Sequence, residues 1–154
     1  MSHILVVANQ SLGGSALLQA ISDRMAAGPC TFTLLVPATP RAHWSMTEML
    51  GHLGTSLPPH PSSAKTAEED DYARARRRLE FGIDQLRRLG AEVDGDVGSG
   101  NPVKAVEDAL TRRRYDEIIL STLPAGRSRW LSRDLPSVLR RQFRLPLSVV
   151  TASE

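Results

Sequence analysis

The chain has 154 residues, is 41% hydrophobic and carries a formal net charge of +2, a size that fits one ordinary domain. It holds no apolar run of about 18 residues, so a membrane span is excluded. A single cysteine, Cys30, excludes an internal disulfide framework and a multi-cysteine zinc site. The opening Met1-Ser2-His3 lacks a basic leader, and the apolar stretch behind it is too short for a secretory signal. A reducing, cytoplasmic setting is expected.

Ile4-Leu5-Val6-Val7-Ala8 is continuously apolar and rich in β-branched residues, the pattern of a strand buried on both faces of a parallel sheet. Asn9, Gln10 and Ser11 end it. Leu17, Leu18, Ile21 and Met25 then recur at helical spacing until Gly28-Pro29. Thr31 to Val36 is a second strand, closed by Pro37. Residues 38–66 are broken by prolines and glycines and are expected as a loop insertion, with room for a short helix around His43 to Leu50. Thr66 with Glu69 three residues later has the form of a capping box. Tyr72, Ala75, Leu79, Ile83 and Leu86 make one apolar stripe, with Asp70–Arg74 and Asp84–Arg88 as ion pairs four residues apart, and Gly90 ends the helix.

Ala91 to Val97, interrupted by Glu92, Asp94, Gly95 and Asp96, is expected as an edge strand. Asn101 caps the next helix, with Pro102 at its first position. Tyr115 to Ser121 is a fourth strand around Ile118-Ile119-Leu120. Ser132 or Asp134 caps a helix through Leu135, Val138 and Leu139, and Leu145 to Thr151 is the fifth strand. The fold class is therefore α/β: one doubly wound, Rossmann-like five-stranded parallel sheet flanked by four helices. In such sheets a ligand sits outside the carboxyl ends of the strands, where the strand order reverses.

The motifs of several catalytic α/β families are missing. No phosphate loop ending in Gly-Lys-Ser/Thr, no Gly-x-Gly-x-x-Gly after the first strand and no Gly-x-Ser-x-Gly is present. The four histidines, His3, His43, His52 and His60, show no metal-ligand spacing, and no acid–base pair stands out, so neither catalytic nor metal-binding residues are assigned. Cys30 is expected as a small buried hydrophobe. From Arg127 to Arg144 there are six arginines and one acid, Asp134. That stretch suits an anionic ligand, but solvation of a helix face is its plainer role. With aromatics at 5% there is no stacking platform for a nucleic acid.

Three groups of residues carry a family resemblance. The buried run Ile4 to Ala8 leads into Asn9-Gln10-Ser11. Gly100-Asn101-Pro102 is followed by Ala105 and Val106. Ile118-Ile119-Leu120-Ser121-Thr122 precedes a glycine–arginine loop, then Pro136-Ser137-Val138 and Leu145-Pro146-Leu147-Ser148-Val149-Val150. In order and spacing these resemble the universal stress protein family over nearly the whole chain, residues 38–66 excepted. The family's nucleotide-binding members carry Gly, two residues, Gly, nine residues, then Gly-Ser or Gly-Thr after the fourth strand. At that spacing this chain has Leu123, Gly126, Pro136 and Ser137. Pro136 lacks an N–H that a phosphate would use, and Asn9 stands where the family has aspartate. Arg127, Ser128 and Arg129 offer guanidinium and hydroxyl donors in partial compensation.

The resemblance implies a stress-response binding or regulatory module rather than an enzyme, taking ATP, AMP or another small anionic ligand through a degenerate glycine loop. Asn9 would contact ribose or base. Val36, Pro37 and Ala38 would line the base slot, and Gly126, Arg127, Ser128 and Ser137 would hold phosphate. It also implies a homodimer through the C-terminal strand. The alternative is a homodimeric protein-interaction module without nucleotide, its partner surface on the insertion. A third reading, an ATP pyrophosphatase suggested by Ser11-Leu12-Gly13-Gly14-Ser15, lacks that group's aspartate.

Overall fold

The computed structural model describes residues 1–9, 11, 12, 14–38, 61–123, 130 and 134–152. Among the described residues, five strands alternate with four helices: β1 (Ser2–Val7), α1 (Ser15–Ala27), β2 (Cys30–Pro37), α2 (Pro61–Arg88), β3 (Val93–Gly98), α3 (Pro102–Arg112), β4 (Glu117–Thr122), α4 (Leu135–Gln142) and β5 (Leu147–Thr151). All strand pairings are parallel, in the order β3-β2-β1-β4-β5. The expected sheet is thus formed, with the apolar run of β1 at its centre and the acid-bearing β3 at an edge.

Side chains alternate along each strand, so each central strand feeds two cores. Ile4, Val6 and Ala8 pack with Phe32, Leu34, Val36 and Ile119 beneath α1 and α2, whose buried residues include Leu17, Ile21, Ala75, Leu79 and Leu86. Leu5, Val7, Leu35, Ile118 and Leu120 pack on the other face against Ala105, Val106 and Ala109 of α3 and Leu135 and Leu139 of α4. Complete burial of one such aliphatic side chain contributes about 1.5–3 kcal/mol.

Local chemistry sets the element ends. Asn101 Oδ1 accepts from the backbone N–H groups of Val103 (3.0 Å) and Lys104 (3.4 Å), and Pro102 follows, as its sequence suggests. Gly90 has φ +91°, donates to Arg87 O at 2.9 Å, and is followed by Ala91 donating to Leu86 O at 3.1 Å. This double closure requires the left-handed backbone that glycine adopts without strain. Gly95 serves a different need: a Cβ there would lie 2.7 Å from the Leu34 carbonyl oxygen and 2.6 Å from Leu79 Cδ1.

Several expectations are corrected. α2 begins at Pro61, inside the stretch expected as loop, so Thr66 lies within the helix and does not cap it. Proline's fixed φ suits a first helical position, where no N–H is needed. Tyr72 is 49% exposed and leaves the apolar stripe, while Gly82 is buried against Leu12 and Leu34. Arg74 pairs with Asp71 at 3.0 Å rather than Asp70, because three residues along a helix is as close as four. Asp84–Arg88 forms as expected, at 3.1 Å. Tyr115 is buried ahead of β4 rather than within it. Asp134 precedes α4 with φ 53° and makes no side-chain cap bond. Ser132 and the short helix expected around His43 to Leu50 lie outside the described residues.

Candidate functional site

The connections from β1 and β4 leave the sheet in opposite directions. From β1 the chain passes through α1 on one face to β2; from β4 it passes to α4 on the other face and β5. Their adjacent carboxyl ends form the switch point at which α/β sheets bind ligands.

Polar groups gather there. The buried polar residues among those described are Asn9, Ser11, Ser121 and Thr122, every one of them at the carboxyl end of β1 or β4. Ser11 Oγ and Ser121 Oγ are hydrogen-bonded at 2.7 Å. Thr122 Oγ1 is buried with no hydrogen-bond partner among the described residues. Asn9 Oδ1 accepts from Arg78 Nη1 of α2. Beyond β4, the Ala152 N–H donates to the Thr122 carbonyl at 2.8 Å, tying the end of β5 to the same edge.

The site residues expected from sequence are distributed as follows. Asn9 is 9% exposed at the end of β1. Val36 and Pro37 end β2, with Val36 fully buried in the core; Ala38 is half-buried and its N–H donates to the Gly98 carbonyl at 3.0 Å. Ser137 lies half-buried in the first turn of α4, beside buried Pro136. Gly126, Arg127 and Ser128 lie outside the described residues, as does Arg129. Sequence reasoning placed Ser11 and Thr122 at strand ends where a ligand would sit but gave them no role there, and it missed Ser121 and Arg78. Arg78 closes the run Arg76-Arg77-Arg78, whose only sequence signal is that of a solvated helix face; the topology alone brings it to Asn9.

The opposite edge of the sheet has a different character. A cleft of about 280 Å³ there is lined by Arg24, Cys30, Asp116, Glu117 and Pro146, among others. Arg24 Nε donates to Glu117 Oε1 at 2.9 Å and Nη2 to Oε2 at 2.7 Å, while Ser148 Oγ donates to Oε2 at 3.2 Å. The Arg24 hydrogen bonds hold the Glu117 carboxyl below its usual range against the opposing effect of burial, and raise the guanidinium in turn. Burial pushes the Cys30 thiol up, which disfavours the nucleophilic thiolate. A groove of about 260 Å³ between β2–β3 and α3 is lined by groups that pair with one another, Arg112–Asp96 at 2.7 Å and Arg113–Asp94 at 3.2 Å. No group of three or more His, Cys, Asp or Glu placed to hold a metal occurs among the described residues. No described helix is long and apolar enough to cross a membrane.

No protein-family model matches the chain, and no curated protein matches it in sequence. Solved structures do match. A universal stress protein family member from Burkholderia pseudomallei superposes with a TM-score of 0.60 at 15% identity, over 97% of this chain and 95% of that one. A universal stress protein family protein from Arabidopsis thaliana, solved with AMP bound, gives 0.60 at 11% identity over 99% and 93%. A universal stress protein in complex with cAMP gives 0.57 at 17% identity over 99% and 100%. The sheet order, the alternation of elements and these superpositions agree: the chain has the universal stress protein fold.

Proposed function

We propose that the chain is a non-catalytic binding module that takes an adenine nucleotide, or a related small anionic ligand, at the carboxyl edge of β1 and β4. The observation that carries this reading is the confinement of the buried polar residues, Asn9, Ser11, Ser121 and Thr122, to that edge. Burying polar groups is costly, and an unpartnered hydroxyl such as Thr122 Oγ1 costs most. A ligand with hydroxyl and phosphate oxygens offsets that cost. The neighbours solved with AMP and with cAMP support a nucleotide as its class.

In this reading Asn9 contacts ribose or base and the segment Val36 to Ala38 borders the base. Gly126, Arg127, Ser128 and Ser137 hold phosphate, through backbone N–H groups and charge-assisted hydrogen bonds. ATP and AMP are the first ligands to test. Homodimerisation belongs to the same proposal: Leu147, Val149 and Val150 are only half-buried on edge strand β5, and an isologous partner would pair that edge.

Isothermal titration with AMP, ATP and cAMP in the presence of magnesium tests the binding reading. Saturable heat with at least one nucleotide is expected. No heat and no thermal stabilisation at millimolar ligand would remove it.

A further inference from the structure

Gly82 interrupts the apolar stripe of α2. Glycine is a poorer helix former than alanine, yet it stands between Leu79 and Leu86, whose side chains are buried, and is itself buried. Its surroundings show what the missing side chain permits. A Cβ at Gly82 would lie 2.6 Å from Leu34 Cδ2 and 2.9 Å from Leu12 Cδ2. Leu34 belongs to β2 and is completely buried in the core. Leu12 is half-buried on the same core and belongs to the turn after β1. The bare backbone of α2 at Gly82 is therefore the seat on which the Leu12 side chain rests.

The same turn carries part of the candidate site. Ser11, the residue before Leu12, is joined to Ser121 by the 2.7 Å bond between their hydroxyls. Its carbonyl accepts from the Gly14 N–H at 3.2 Å, and the Gly14 carbonyl accepts from the Leu18 N–H of α1 at 3.1 Å. The turn is thus held from two sides, by β4 through Ser11 and by α2 through Leu12. A Cβ at position 82 would press on both leucines. Leu34 is locked in a close-packed interior and cannot move without disturbing its neighbours, whereas half-buried Leu12 has room to yield. Displacement of Leu12 passes to Ser11 and, through it, to the carboxyl edge of β1 and β4.

We infer that Leu12 and Gly82 are positioning residues of the binding site: their contact sets the place of the β1 turn, and with it the Ser11–Ser121 pair that a ligand meets. This rests on the binding reading above. Its test is a double-mutant cycle in AMP affinity, measured by titration calorimetry with magnesium on wild type, Gly82→Ala, Leu12→Ala and the double variant, under conditions where urea titration shows each fully folded. Each single change should weaken AMP about fivefold, and the double variant should be no weaker than the poorer single, because both changes break one contact. Leu34→Val trims the other side of the seat without touching the turn, and should lower stability while leaving AMP affinity within about twofold. Full AMP affinity in Gly82→Ala, losses that multiply in the double variant, or an equal loss in Leu34→Val would overturn the inference and leave the binding reading standing. Should Gly82→Ala fail to fold, Leu12→Ala carries the test, and full AMP affinity there overturns the inference. Absence of AMP binding by the wild-type chain would overturn the inference and the AMP reading together.

Discussion

Ser11 Oγ and Ser121 Oγ meet at 2.7 Å, both buried, and join the turn after β1 to the end of β4 across the switch point. Each hydroxyl satisfies the other. Ser121→Ala leaves Ser11 buried without this partner and should cost about 1–3 kcal/mol in urea unfolding. Ser11→Ala/Ser121→Ala removes both polar atoms and should cost less than the sum of the single changes. Strict additivity would show that the hydrogen bond contributes nothing to stability.

Thr122 presents the opposite case. Its Oγ1 is buried without a partner among the described residues, so Thr122→Val should raise the unfolding stability of the ligand-free chain by about 1 kcal/mol. The same change should reduce the stabilisation that AMP confers in a thermal melt, since the hydroxyl would no longer be there to meet the ligand. Destabilisation of the ligand-free chain would contradict the assignment of Thr122 as an unsatisfied group.

The fold was legible because its signals are local. Ile4 to Ala8 and Ile118 to Leu120 announce buried strands by composition, and Asn101-Pro102 and Gly90 mark helix ends by stereochemistry. The start of α2 was less legible, because Pro61 lies in a proline-rich stretch and a capping pattern at Thr66 competes with it. The site was legible only in part. Asn9 could be named because it follows the first apolar run at the position where the resembled family has aspartate. Ser121 and Arg78 could not, because each depends on a partner 110 or 69 residues away that is brought close only by the crossover connections.

Glu117 should set part of the acid stability. Hydrogen bonds from Arg24 hold its folded pKa below the unfolded value. The resulting stabilisation is complete above the ordinary glutamate range and is lost as pH falls through the folded pKa. Side-chain exposures of 32% for Arg24 and 19% for Glu117 mean that solvent screens part of it, leaving of order 1 kcal/mol or less at neutral pH. Glu117→Gln should lower stability by that amount at pH 7 and flatten the decline towards acid in a series of urea titrations. An unchanged acid limb would remove Glu117 from the account.

Gly95→Ala should destabilise by about 1–3 kcal/mol. The new Cβ would meet the Leu34 carbonyl oxygen at 2.7 Å, and that backbone cannot yield without disturbing the β2–β3 pairing. Asn101→Ala should cost about 1 kcal/mol through the two uncapped N–H groups of α3. Thermal unfolding of both variants checks the two figures, and a neutral Gly95→Ala would show that β3 sits further from β2 than described.

Amide hydrogen exchange, measured with and without saturating AMP, addresses the location of the ligand without any substitution. Protection confined to the carboxyl ends of β1, β2 and β4 and the segment after β4, residues 8–12, 36–38 and 121–128, and to the first turn of α4 is the expected result. Protection centred instead on the amino-terminal edge around Arg24, Cys30 and Glu117, or no change anywhere, would contradict a binding site at the β1–β4 switch point.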